Sequence, residues 1–146
     1  MPAEVRILAA VLIELQKFAA VNIAHECCGL LAGRDGTITK VLPAANAAAN
    51  PATSYEIAPE DVFRLIREIR ESGLQMMGIY HSHPRGKNEP SARDIELAYY
   101  PGAAYFIIAP AGVPPEDVSR RAETQSPVRA FSIREGASTE LDIRAV

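Results

Sequence analysis

Residues 79–96 read IYHSHPRGKNEPSARDIE, and the way they fold decides the architecture around them. The run LQMMGIYHSH (74–83) predicts a central strand that ends at two histidines. Pro84 terminates it, and the polar stretch that follows is a loop. Residues 92–99 have a helical pattern with Ser91 in front and Asp94 in the first turn, and Pro101-Gly102 stops them. AAYFIIAP (103–110) is apolar and rich in aromatic and β-branched residues, which predicts a second buried strand.

Towards the N-terminus, Pro59 suits a first helical turn, and Val62, Phe63, Ile66 and Ile69 form an apolar stripe that ends at Ser72-Gly73. YEI (55–57) is a short strand candidate, and PAANAAANPATS (43–54) a small-residue loop. CCGLLAG (27–33) predicts a buried strand and TITKVLP (37–43) its hairpin partner, with GRDG between them supplying the turn. Residues 3–20 place Val5, Leu8, Leu12 and Leu15 at helical spacing, widened by Ile7, Val11 and Ile13, so a helix covered on more than one side is expected. Beyond the central segment, 112–127 read as loop, VRAFSIRE (128–135) as a half-exposed strand and TELDIRAV (139–146) as a final edge strand. Neither a repeat nor a domain boundary is evident. The expectation is one domain over 1–146 of α/β (α+β) class, a mixed central β-sheet flanked by helices.

The composition is that of a globular protein, with 48% hydrophobic and 23% charged residues. No apolar run is long enough to span a membrane, and Glu4, Arg6 and Glu14 break up any signal-peptide pattern. A net charge of −3 weighs against nucleic acid as a partner. The only cysteines, Cys27 and Cys28, are adjacent, which excludes a disulfide framework and suits a reducing compartment, so a cytoplasmic protein is expected.

His81 and His83 are two apart on a strand, so both imidazoles point to one face and can converge on an ion. Alone, such a pair is weak evidence, and two surface histidines at a strand end are the plainer reading. Ser91 and Asp94 likewise read as a helix-capping pair, although an acid in the first turn also points at whatever lies beyond that helix end. Two nitrogens, one carboxylate and an open position for water would make the ligand set of a catalytic zinc site. Glu26, in HECCG, does not belong to the helical His-Glu-x-x-His motif, because Gly29 occupies the fifth position. It is either a surface residue at a strand start or, beside a water on such an ion, a general base.

HECCGLLAG, followed by HSHP and by SARD with seven residues between His83 and Ser91, resembles the JAMM metalloprotease motif of the MPN-domain family, in its short bacterial branch. The likeness extends over roughly residues 5–110 and includes AYYPGAAYFII. It implies a zinc peptidase or isopeptidase with one Zn²⁺ per chain. His81, His83 and Asp94 would be its metal ligands, water the fourth ligand, and Glu26 the base. Ser91 would hold the water or stabilise the oxyanion. It further implies a ubiquitin-like or sulfur-carrier protein as substrate, cleaved after its C-terminal Gly-Gly. The alternatives are a non-catalytic MPN scaffold that binds protein partners, and a zinc peptidase that acts on unrelated peptides.

Overall fold

A computed structural model describes residues 3–110 and 127–146. Its elements are β1 (Glu4–Ile7), α1 (Ala9–Val21), β2 (Cys28–Arg34), β3 (Thr37–Ala44), α2 (Pro59–Glu71), β4 (Gln75–Ser82), α3 (Ala92–Glu96), β5 (Ala104–Ile108), β6 (Val128–Arg134) and β7 (Ala137–Ala145). The described strands join in the order β1-β3-β2-β4-β5-β6-β7, and β1 pairs with β7 to close the sheet on itself. The sheet is mixed: β1 runs parallel to β3 and β7, and β4 parallel to β5, while the other pairs are antiparallel.

The central strands read as continuous apolar runs because both of their faces are covered. Alternate residues pack into two cores. Leu31, Tyr80, Phe106 and Ile108 meet Val11 and Leu15 of α1. Leu30, Ile79, Tyr105 and Ile107 meet Leu65 and Ile69 of α2. The β2–β3 turn needs two left-handed residues and has them in Asp35 and Gly36, at φ 55° and 77°. Gly78 allows β4 to lie close to β5, since a Cβ there would be 2.8 Å from the Ala104 carbonyl oxygen.

Four expectations change. Residues 3–20 are not one helix: Val5 and Ile7 turn inward from a strand, and α1 starts only at Ala9. Four residues with apolar side chains at positions 5 and 7 fit either period, and the choice is made by pairing with β3 and β7. Residues 139–146 form no edge, because β7 hydrogen-bonds to β6 on one side and β1 on the other. Residues 55–57 form no strand. The helix expected over 92–99 ends at Glu96. The loop expected over 112–127 falls, except for Pro127, outside the described residues.

Candidate active site

On β4, His81 shares the face of Ile79 and so points towards the α2 side of the sheet. His83 lies one residue past the strand end, but its N–H still donates to the Ile108 carbonyl at 2.9 Å, which extends the pairing with β5. The chain then loops through the fully buried Asn88 to Ser91. Ser91 caps α3 in a reciprocal box: its Oγ accepts from the Asp94 N–H at 3.0 Å, and its own N–H donates to Asp94 Oδ2 at 2.9 Å. The cap holds the Asp94 carboxylate back over the helix start, towards the histidines. Capping and clustering are therefore one arrangement.

Three atoms converge there. His81 Nε2 is 3.0 Å from His83 Nε2, and Asp94 Oδ2 is 3.2 Å from the first and 3.1 Å from the second. Donors at zinc bond lengths of about 2.0–2.1 Å in a tetrahedron stand about 3.3–3.4 Å apart, so the triangle is close to that of three ligands. His83 Nδ1 donates to the Lys87 carbonyl at 2.7 Å, since a carbonyl can only accept. That bond orients the ring and leaves Nε2 for the cluster. Burial would push Asp94 up, but hydrogen bonds from His81 and His83 outweigh it and hold the carboxyl well below the usual range. Burial pulls His81 down; His83 is also pulled down by burial, but Asp94 and the Lys87 carbonyl more than restore it. A divalent cation bound by these atoms would compete with protons for them. Two imidazoles and a carboxylate are a donor set that suits zinc.

Glu26 precedes β2 and is 5% exposed. One of its carboxylate oxygens lies within 4.8 Å of a ring nitrogen of each of the two histidines. Its Oε1 is buried without a hydrogen-bond partner among the described residues. Burial raises its pKa to about 7, with His83 opposing and Asp94 adding to the shift. A carboxyl poised near neutrality beside an electrophilic centre is what a general base needs. The structure thus brings Glu26, His81, His83 and Asp94 together, with Ser91 at the adjoining helix cap. The Ser91 Oγ is already an acceptor for a backbone N–H, which leaves its own hydrogen to donate.

Three supporting residues escaped the sequence reading. Ser82 Oγ accepts from the Cys27 N–H at 2.9 Å, and its own N–H donates to the Cys27 carbonyl at 3.0 Å, tying the Glu26 segment to the histidine strand. Asn46 Nδ2 donates to the Glu26 carbonyl at 2.9 Å. Tyr55 stacks on His81 with ring centroids 4.3 Å apart. Only Ser82, lying between the two histidines, had a positional signal. Cys28 is buried, and burial pushes its thiol up to about 12, so it behaves as a small apolar residue. Beside the cluster an apolar groove of about 700 Å³ runs between the sheet and α2, with Tyr55, Val62, Phe63, Ile66 and Tyr99 among its walls.

The sequence matches the family of prokaryotic homologs of the JAB domain over residues 8–123. The chain belongs to that family. Within its range of relatives, it is 38% identical over 105 residues to a desampylase of Haloferax volcanii, covering 70% of this chain and 76% of that one. It is 30% identical over 123 residues to the CysO-cysteine peptidase of Mycobacterium tuberculosis, covering 83% and 77%. A solution structure of a Desulfitobacterium hafniense protein superposes with a TM-score of 0.78 at 26% identity, covering 97% of this chain and 92% of the other. This JAB-family chain therefore has the mixed sheet with flanking helices expected for it.

Proposed function

We propose that this JAB-family protein is a zinc-dependent hydrolase that cleaves the amide or isopeptide bond after the C-terminal Gly-Gly of a ubiquitin-like, sulfur-carrier protein. The observation that carries the reading is the 3.0–3.2 Å triangle of His81, His83 and Asp94 with the unpartnered, near-neutral Glu26 carboxyl beside it. In this reading the three residues would hold one zinc ion per chain. A bound zinc supplies Lewis-acid polarisation of water and of the scissile carbonyl.

Glu26 takes a proton from the attacking water as the new C–O bond forms, and returns it to the leaving amine as the C–N bond breaks. Ser91 donates its hydroxyl hydrogen to the carbonyl oxygen as negative charge develops there. The apolar groove alongside gives a protein substrate a surface to bury, and glycines in its tail allow a close approach to the buried cluster. The relatives' names, a desampylase and a peptidase of a carrier–cysteine adduct, support a carrier-type substrate. Both cysteines are free, which suits a reducing compartment and supports a cytoplasmic site of action. The net charge of −3 favours a protein partner over nucleic acid.

The test has two stages. Purified protein should carry about one zinc per chain and an Asp94→Ala variant far less. Zinc-loaded protein should then release the adduct from carrier–cysteine and carrier–peptide fusions, followed by mass spectrometry, while unrelated peptides stay intact. Carrier fusions left whole by zinc-loaded protein would reject the substrate class. Absence of zinc after reconstitution would reject the metal site.

A further inference from the structure

The two histidines of the cluster are supported in different ways. His83 has its second ring nitrogen fixed by the Lys87 carbonyl at 2.7 Å. His81 Nδ1 is buried and finds no hydrogen-bond partner among the described residues. A ligand histidine is normally oriented through a hydrogen bond on its far nitrogen, which sets both tautomer and ring angle. His81 instead has an aromatic face against it: Tyr55 stacks on the imidazole with centroids 4.3 Å apart and planes 20° from parallel. Rotation of the His81 ring about Cβ–Cγ would break that stack.

Tyr55 is itself held. Its neighbours on either side are both bonded to the Asn46 side chain, whose Nδ2 donates to the Ser54 carbonyl at 3.0 Å and whose Oδ1 accepts from the Glu56 N–H at 3.1 Å. The same Nδ2 donates to the Glu26 carbonyl at 2.9 Å, and the Glu56 carbonyl accepts from the Ala47 N–H at 2.7 Å. One asparagine thus fixes the main chain of Glu26 and of the residues flanking Tyr55. We infer that Tyr55 is a positioning residue: its ring face, placed by Asn46, sets the orientation of His81 for metal binding in place of a hydrogen bond. This rests on the proposed metal site.

The test uses the full chain, metal-free, as wild type and as Tyr55→Phe, Tyr55→Leu and Tyr55→Met variants. Co²⁺ uptake is read from its visible absorption and Zn²⁺ affinity from competition with a chromophoric chelator; circular dichroism checks the fold. Loss of an orienting partner typically weakens metal binding about 10- to 100-fold, and that is the loss expected for Tyr55→Leu, with an altered Co²⁺ spectrum. Tyr55→Phe keeps the ring face and should match the wild type in affinity and spectrum. Tyr55→Met, apolar and flexible but without a ring, should behave like Tyr55→Leu and carries the comparison if that variant misfolds. Wild-type affinity and spectrum in the folded Leu or Met variant would overturn the inference while leaving the metal site standing. A Phe variant as weak as Leu would overturn it too, by assigning the effect to the hydroxyl. Wild-type protein that takes up neither ion would overturn the metal reading and the inference with it.

Discussion

Replacing Glu26 by glutamine is expected to abolish hydrolysis and, in the metal-free protein, to raise stability increasingly as the pH rises. The carboxyl is buried, its Oε1 has no partner among the described residues, and burial lifts its pKa from 4.5 to about 7. Below pH 4.5 the group is protonated in both folded and unfolded chains and contributes nothing. Between 4.5 and 7 the unfolded chain gives up its proton while the folded one keeps it, so stability falls with pH; above 7 the penalty is complete. The full shift, 7 minus 4.5, corresponds at 1.36 kcal/mol per unit to about 3.4 kcal/mol. Relaxation of the surrounding protein lowers the cost of a buried charge, and about 1–2 kcal/mol is the working figure. Glutamine carries no such penalty. Urea unfolding of chelator-treated wild type and Glu26→Gln at a series of pH values from 4 to 8 measures the difference between them. That difference should grow through the window from 4.5 to 7 and then level off. A difference that stays constant across the series would refute the assignment of a desolvated, near-neutral carboxyl, whatever its sign.

Ser91→Ala should slow hydrolysis by about a hundred- to a thousand-fold, the usual cost of one oxyanion donor, with zinc still bound; loss of zinc in that variant would show that the serine acts only through the cap that places Asp94. Chelation should lower the melting temperature of the wild type, since a ligand present at 100 times its Kd contributes about 2.7 kcal/mol. Asp94→Asn should melt at the same temperature with or without added zinc, as followed by differential scanning calorimetry. Ser82→Ala leaves the Cys27 N–H without its acceptor and should cost about 1–3 kcal/mol in denaturant melts. Hydrolysis by Ser82→Ala should fall as well, because the Glu26 segment then keeps only the backbone bond from residue 82 to the Cys27 carbonyl as its tie to the end of β4.

Some of the site was legible because its signals are local. The two-residue alternation that aims His81 and His83 at one face holds for any strand, and the Ser91–Asp94 box is built within a single helical turn. The buried runs of β2, β4 and β5 announce themselves by apolar content and by the glycines and prolines that bound them. β1 gives no such signal. Its side chains fit a helix or a strand, and the decision lies with Ile38 of β3 and Ile143 of β7, far away in the chain. The same pairing converts residues 139–146 from an expected edge to an interior strand.

What the sequence by itself determined is the chemistry available: two imidazoles on one strand face, a capped carboxylate, and a glutamate in HECCG. These follow from backbone periodicity and from bonds closed over three or four residues, so no distant contact is needed to read them. Only the tertiary structure decided how that chemistry is tuned and held. Glu26 becomes a carboxyl with a pKa of about 7 because folding buries it, with Asp94 adding to the shift and His83 opposing it. Ser82 reaches Cys27 because β2 and β4 pair, and Tyr55, read as part of a strand, packs against His81 from a loop that Asn46 holds in place. Desolvation and stacking depend on which surfaces meet, and in this chain those surfaces are contributed by segments far apart in sequence.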